Sequence, residues 1–221
     1  MVHNIIEALN DEQKKAVLQT DGPVLILAGA GSGKTRVIVH KIAYLISQAY
    51  ATPSQILALT FTNKAAQEMK SRIVGIVGGL DFNFWIGTFH SLFARILRIE
   101  LPGIGGNGNF TIYDESDQKK IVTGILHKKN LEGKGVLTNY CLKYISLFKN
   151  RILVPKDARM SASTPEEKLV VEIYAFYENE LKNNNAMDFD DLLFKTYLLF
   201  QRFPEIRGKY ARRFKYILVD E

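Results

Sequence analysis

Eight residues near the N-terminus have the chemistry of an anion cradle. Ala28-Gly29-Ala30-Gly31-Ser32-Gly33-Lys34-Thr35 follows G-x-x-x-x-G-K-[ST], with alanine in place of the first glycine. Glycines at 29, 31 and 33 let backbone N–H groups turn toward a phosphate. In such a loop Lys34 reaches the β- and γ-phosphates of a nucleotide, and Thr35 offers its hydroxyl to Mg2+. The chemistry also needs a carboxylate from the end of another strand. Tyr216-Ile217-Leu218-Val219-Asp220-Glu221 offers two. Asp220 is suited to bind the metal, directly or through water, and Glu221 to polarise a water for in-line attack on the γ-phosphorus. An apolar run ending in Asp-Glu says little by itself, because strands often end in solvated carboxylates. The phosphate loop elsewhere in the same chain gives it weight.

These residues need elements to position them. The loop requires a strand before it and a helix after it, so that the helix N-terminus aims its partial positive charge at the anion. Residues 24–28 are a short apolar run that reads as a central strand, and residues 34–47 read as the helix. A second buried strand is expected over 56–61, with a helix that carries Ala65, Ala66, Met69 and Ile73 on one face. Residues 84–87 read as a third strand and 91–99 as its helix. Residues 216–219 form a further strand, and Asn10 or Asp11 caps a helix near the N-terminus. Strands alternating with helices give the α/β class with a mostly parallel sheet. The middle differs: a Gly/Asn-rich loop at 102–109, a short strand at 110–113, then a helical pattern over 116–185. The expected organisation is an α/β domain of residues 1–115 and 186–221, with 116–185 as a helical insertion.

Composition sets broader limits. The 221 residues carry a formal net charge of +6 and a pI near 9.2, which is compatible with a nucleic-acid partner. A single cysteine, Cys141, excludes an internal disulfide and reads as a small buried hydrophobe. The N-terminus lacks the pattern of a signal peptide, and no apolar run is long enough to span a bilayer. The expected location is the cytoplasm, with no membrane partner.

Further segments carry a family resemblance along nearly the whole chain. Leu9-Asn10-x-x-Gln13 precedes the phosphate loop, and Arg36 follows it. Thr60-Phe61-Thr62-Asn63-Lys64-Ala65-Ala66 and Gly87-Thr88-Phe89-His90-Ser91 follow the second and third strands. Phe110-x-Ile112-x-Asp114-x-x-Asp117-Gln118 and Met187-Asp188-Phe189-Asp190-Asp191-Leu192-Leu193 come later. In this order they resemble the motifs of UvrD/Rep/PcrA-type superfamily 1 DNA helicases. The resemblance implies a RecA-like P-loop NTPase domain that uses ATP and Mg2+. It implies that Gln13 reads the adenine edge and that Arg36 lies against adenine or ribose, both suited to planar groups. It also implies that Phe61, Thr62, Asn63 and Lys64, together with Thr88, Phe89 and His90, line a path for single-stranded DNA. Partners would be single strands and single/double-strand junctions, and translocation would run 3′→5′. A second RecA-like domain follows in that family. The 221 residues therefore read as part of a longer protein, expected alone to bind ATP weakly and hydrolyse it negligibly.

From the residues alone, several of these assignments are weaker. Phe61 and Phe89 fit core aromatics at strand ends better than base-stacking platforms. Lys64 is equally a solvated lysine at a helix start, and His90 is more often structural. Asp188, Asp190 and Asp191 are read as a helix cap and not as a metal site. Lys128, Lys129, Lys143, Lys149 and Arg151 are candidate duplex contacts, and the basic run from Arg202 to Lys215 is a solvated helix face. Competing readings are a RecB-type helicase–nuclease, another P-loop kinase or NTPase, and a nucleotide- or DNA-binding module without turnover.

Overall fold

The structure, a computed structural model, describes residues 2–29, 31–78, 83–131 and 135–220. It divides into two compact units, Met1–Leu92 with Pro204–Glu221, and Phe93–Phe203. In chain order the elements are α1 (Val2–Glu7), α2 (Asp11–Leu18), α3 (Lys34–Ser47), β1 (Ile56–Thr60), α4 (Asn63–Val77), β2 (Trp85–Thr88) and α5 (Phe89–Glu100). There follow β3 (Thr111–Tyr113), α6 (Glu115–Lys128), α7 (Gly135–Asn150), α8 (Pro155–Ser161), α9 (Pro165–Asn183), β4 (Ala186–Asp188), α10 (Phe189–Arg202), α11 (Pro204–Arg213) and β5 (Tyr216–Asp220).

The first unit is built on a parallel sheet of order β2-β1-β5. Every residue of β1 and β2 is buried, as continuous apolar runs in a covered parallel sheet require. Ile38, Val39, Ile42 and Leu45 of α3 pack with Ala66, Met69 and Ile73 of α4 over Ile56, Ala58 and Ile86. Trp85 fills the other side, with Tyr210 and Phe214 edge-on at 5.9 and 5.2 Å. Arg213 lies over the Trp85 ring at 4.8 Å, and its Nε donates to the Ser54 carbonyl at 3.2 Å. Among the basic residues of the run from Arg202 to Lys215, Arg213 is packed, and the expectation of a solvated face is corrected there.

The expected strand over 24–28 does not form. Leu25 and Leu27 are 83% and 86% exposed, and residues 24–28 make no ladder with β5. A cavity of about 490 Å3, lined by Val24, Leu25 and Ile26 on one side and by β5 on the other, separates them. An apolar run is a strand only when its N–H and C=O groups find a neighbouring backbone. Composition predicts the run but not the neighbour.

The second unit packs α6, α7, α8 and α9 around Val122, Ile125, Cys141, Ile145, Val170, Ile173, Tyr174 and Tyr177. Burial pushes the Cys141 thiol up to about 11, so it remains a protonated core residue. β3 pairs in parallel with β4, a three-residue strand too short to show periodicity in the sequence. Asp188 caps α10 by accepting from Asp191 N at 2.8 Å, and Asp191 accepts in return from Asp188 N at 3.2 Å. Lys149, with 1% of its surface exposed, lies against both carboxylates at 2.7 and 2.8 Å and against Glu178 at 2.8 Å. A buried ammonium cannot touch duplex DNA, so that candidate is corrected. Lys128 and Lys129 pair with Glu180 and Glu172 at 3.1 and 2.5 Å.

Candidate nucleotide and nucleic-acid site

Three strands of the first unit end in one row. Thr60 of β1 is in register with Asp220 of β5 on one side and Thr88 of β2 on the other. Neighbouring strands lie about 4.8 Å apart, so Asp220 and Thr88 are separated by about 10 Å of sheet. Crevices beyond the carboxyl ends of parallel strands are where open α/β sheets hold ligands. The phosphate loop and the two candidate DNA segments all open on this edge.

The loop reaches Asp220 through α3. Thr35 Oγ1 donates to Asp220 Oδ2 at 2.8 Å, joining two groups from opposite ends of the chain. This pair of oxygens fits Mg2+, a hard cation that takes few protein oxygens and keeps its waters. Ser32 closes the loop: its N and Oγ both donate to Gly29 O, at 3.3 and 2.7 Å. Gly33 begins α3 with φ of 90° and no side-chain cap, so the first-turn N–H groups remain for an anion. Lys34 Nζ donates to Ala28 O and Gly29 O at 2.9 and 3.0 Å. Those acceptors are neutral carbonyls. A phosphate oxygen outcompetes them, because a bond between two charged partners is roughly twice as strong. Ala30 and Glu221 lie outside the described residues.

Gly33 has a second constraint. A Cβ there would sit 3.0 Å from Gln13 Nε2, in a left-handed conformation that L residues avoid. Gly33→Ala is expected to cost about 1–3 kcal/mol of stability. It should also weaken binding of a fluorescent ATP analogue, with thermal unfolding and a titration as the two readouts. Unchanged values in both would show that the loop tolerates a side chain.

Gln13 reaches the same loop from α2. It forms a capping box with Asn10, accepting from Asn10 N at 3.2 Å and donating its own N to Asn10 Oδ1 at 2.9 Å. Its Nε2 donates to Ser32 O at 3.1 Å. Arg36 Nη2 donates to Ala8 O at 2.5 Å, which ties α3 to the connection before α2. The sequence offers Asn10 as a helix cap and as part of the Leu9-Asn10-x-x-Gln13 segment. Its part in holding the Gln13 amide becomes visible through the hydrogen bonds.

The second candidate segment leaves β1. Phe61 is 77% exposed, which overturns its reading as a core aromatic. Thr62 caps α4 by accepting from Ala65 N at 3.1 Å, and Asn63 and Lys64 are exposed on the first turn. In the third segment Phe89 and His90 are exposed at the start of α5. Thr88 is buried, and its Oγ1 accepts from Ser91 N at 3.2 Å. Its hydroxyl holds the helix start, so Thr88 positions this segment more directly than it could touch a ligand. Among the described residues no cluster of three or more His, Cys, Asp or Glu side chains could hold a metal ion. No described helix is long and apolar enough to cross a membrane.

The sequence profile of the UvrD/REP helicase N-terminal domain matches residues 9–221. The chain belongs to the UvrD/REP helicase family. It is 45% identical over 219 residues to an ATP-dependent DNA helicase PcrA of Bacillus subtilis strain 168, covering 99% of this chain and 30% of that protein. Against the protein of the same description from Staphylococcus aureus strain Mu50, identity is 44% over 217 residues, covering 98% of this chain and 30% of the relative. The Staphylococcus epidermidis relative, also described as ATP-dependent DNA helicase PcrA, matches to the same extent. The chain therefore spans about a third of the length of these relatives. Family membership implies a P-loop helicase fold, in keeping with the mixed α/β unit and its parallel strands.

Proposed function

We propose that this chain is the ATP-binding motor segment of an ATP-dependent 3′→5′ DNA helicase, acting in the cytoplasm on single-stranded DNA and single/double-strand junctions. The observation that carries the reading is the Thr35–Asp220 contact at 2.8 Å. It sits in the same row of strand ends as the exposed Phe61 and Phe89. In this reading residues 1–115 and 186–221 form a RecA-like domain and 116–185 a helical insertion. Lys34 leaves the Ala28 and Gly29 carbonyls for the β- and γ-phosphates. Backbone N–H groups of Gly29, Gly31, Ser32 and Gly33 and the N-terminus of α3 hold the same oxygens. Gln13 pairs with the adenine edge and Arg36 lies beside the base or ribose. Thr35 and Asp220 are the residues that would hold Mg2+, which when bound neutralises phosphate charge. Glu221 orients the attacking water. Alone, the 221 residues bind ATP weakly and hydrolyse it negligibly.

On the DNA side Phe61 stacks on a base, while Thr62, Asn63, Lys64 and His90 meet phosphate and sugar and Phe89 supplies a second aromatic surface. Phe61→Ala is expected to weaken binding of a single-stranded oligonucleotide by about 1–3 kcal/mol. The melting temperature should not move, because the ring is mostly in solvent. Unchanged binding would remove Phe61 from the path. Polarity is tested with partial duplexes in a longer protein that contains this segment. Unwinding from a 3′ single-stranded tail supports the reading, and unwinding only from a 5′ tail refutes it.

A further inference from the structure

A buried lysine lies two turns along α3 from Lys34, on the same helical face. Lys41 is only 9% exposed, and its ammonium is turned onto the C-terminal end of α2. Nζ donates to Val17 O at 2.8 Å, to Ala16 O at 3.3 Å and, more closely still, to Gln19 O. An ammonium has three protons, and here three carbonyls receive them. These carbonyls belong to the last turn and C-cap of α2, where the final C=O groups of a helix have no partner within it and carry partial negative charge. Burial lowers the Lys41 pKa, and the charge of Asp21 partly opposes this. The three carbonyls offset the cost of keeping this cation away from water.

The other end of the same short helix carries Gln13. α2 has eight residues, so its two ends are close: Gln13 donates to Ser32 O of the phosphate loop, while Val17 packs on Val37 of α3 beside Leu9. One face of α3 thus carries Lys34 at the phosphate loop and Lys41 against α2. We infer that Lys41 is a positioning residue for base recognition, fixing the height and rotation of α2 on α3 so that the Gln13 amide stands at a set distance from the phosphate loop. This rests on the proposed role of Gln13 at the adenine edge. Lys41 itself touches no nucleotide. It determines where the residue that does so is held.

The test is equilibrium titration of the 221-residue chain with fluorescent ATP and GTP analogues. Lys41→Met keeps an unbranched side chain one atom shorter, without the charge or donors, and leaves the three carbonyls without the ammonium. It should reduce the preference for ATP over GTP by about tenfold, the scale of a lost buried hydrogen bond, while GTP affinity stays the same. Gln13→Ala should produce the same loss, and the double variant no more than either alone, because both act on one contact. Lys41→Arg, which retains charge and donors, should restore most of the preference. If Lys41→Met does not fold, Lys41→Gln with two donors gives the same readout at intermediate size. Equal losses for ATP and GTP would mean that Lys41 only supports the fold, and would overturn the inference. Loss in Gln13→Ala but not in the Lys41 variants would also overturn it, with the adenine reading intact. No base preference in the wild type, or full preference in Gln13→Ala, would refute the adenine reading and with it the role of Lys41.

Discussion

Lys34→Ala, placed in a longer protein that contains this segment, should reduce ATP turnover by about a hundred- to a thousandfold, the range for removing one preorganised donor from a reacting anion. The reason lies in the geometry of the loop. The ammonium rests on two carbonyls of its own loop, at 2.9 and 3.0 Å, one short swing from any phosphate in the cradle. Alanine removes that charge, but the turn made by Ser32 on Gly29 and the uncapped start of α3 remain. The prediction is therefore asymmetric: the chemical step collapses, and nucleotide affinity falls much less because the backbone N–H groups still bind. Steady-state hydrolysis and analogue binding, measured on the same protein, separate the two. Turnover within tenfold of wild type would place the catalytic charge elsewhere.

The second large effect concerns stability in the helical unit. Lys149→Met should cost about 3–5 kcal/mol, because removing one member of a buried ion network leaves its partners charged and unpaired. Lys149 joins Asp188, Asp191 and Glu178, and Tyr177 Oη adds a bond to Asp188 at 2.9 Å. Burial works against the Lys149 charge, yet the Asp191, Asp188 and Glu178 carboxylates together hold its pKa well above the usual lysine range. A raised pKa on a cation means stability that is full below its unfolded value and is lost only as pH rises through the folded one, far above neutrality. Burial likewise opposes the Asp191 charge, but Lys149 and Lys195 keep its carboxyl below the ordinary 3.8. That contribution is present above the unfolded value and disappears as pH falls through the folded value. Asp188 goes the other way, pushed up first by burial and then by the Asp191 charge.

In Lys149→Met, Asp191 loses one of the two cations that hold its carboxyl down, and Asp188 loses the cation that opposes its rise, so both shift upward in the folded protein. The variant should therefore gain stability relative to the wild type as pH is lowered from 7 toward 5. Thermal melts across that range decide the matter. A flat difference between the two proteins would mean that removing Lys149 leaves the protonation of Asp188 and Asp191 unchanged over this range.

How much of this was legible beforehand depended on whether a residue's neighbours were close in sequence. The helix over 34–47, β1, β2 and β5 follow from local periodicity and lie where apolar spacing predicts them. So does the Asp188 cap, whose acceptor and donor are three residues apart. The failures depended on distant partners. Residues 24–28 have strand composition, but β5 does not meet them. Lys149 reads as one of many surface lysines until α7, α9 and α10 pack carboxylates around it, and Arg213 until Trp85 lies beneath it. Phe61 looks apolar enough for a core, but β1 ends one residue earlier and leaves the ring beyond the sheet. In the candidate site, Lys34, Thr35 and Asp220 were nameable from residue type and spacing. The Thr35–Asp220 contact and the tripod of Lys41 were not, because each joins separate elements.

Central to the proposal is that a nucleotide site and a DNA path share one row of strand ends. The most direct measurement is steady-state ATP hydrolysis by a longer protein that contains this segment, with and without a single-stranded oligonucleotide. Turnover should rise when the oligonucleotide is added, and the rise should be lost in Phe61→Ala at a DNA concentration that saturates the wild type. Equal turnover with and without DNA would contradict the shared edge, as would stimulation that Phe61→Ala leaves untouched.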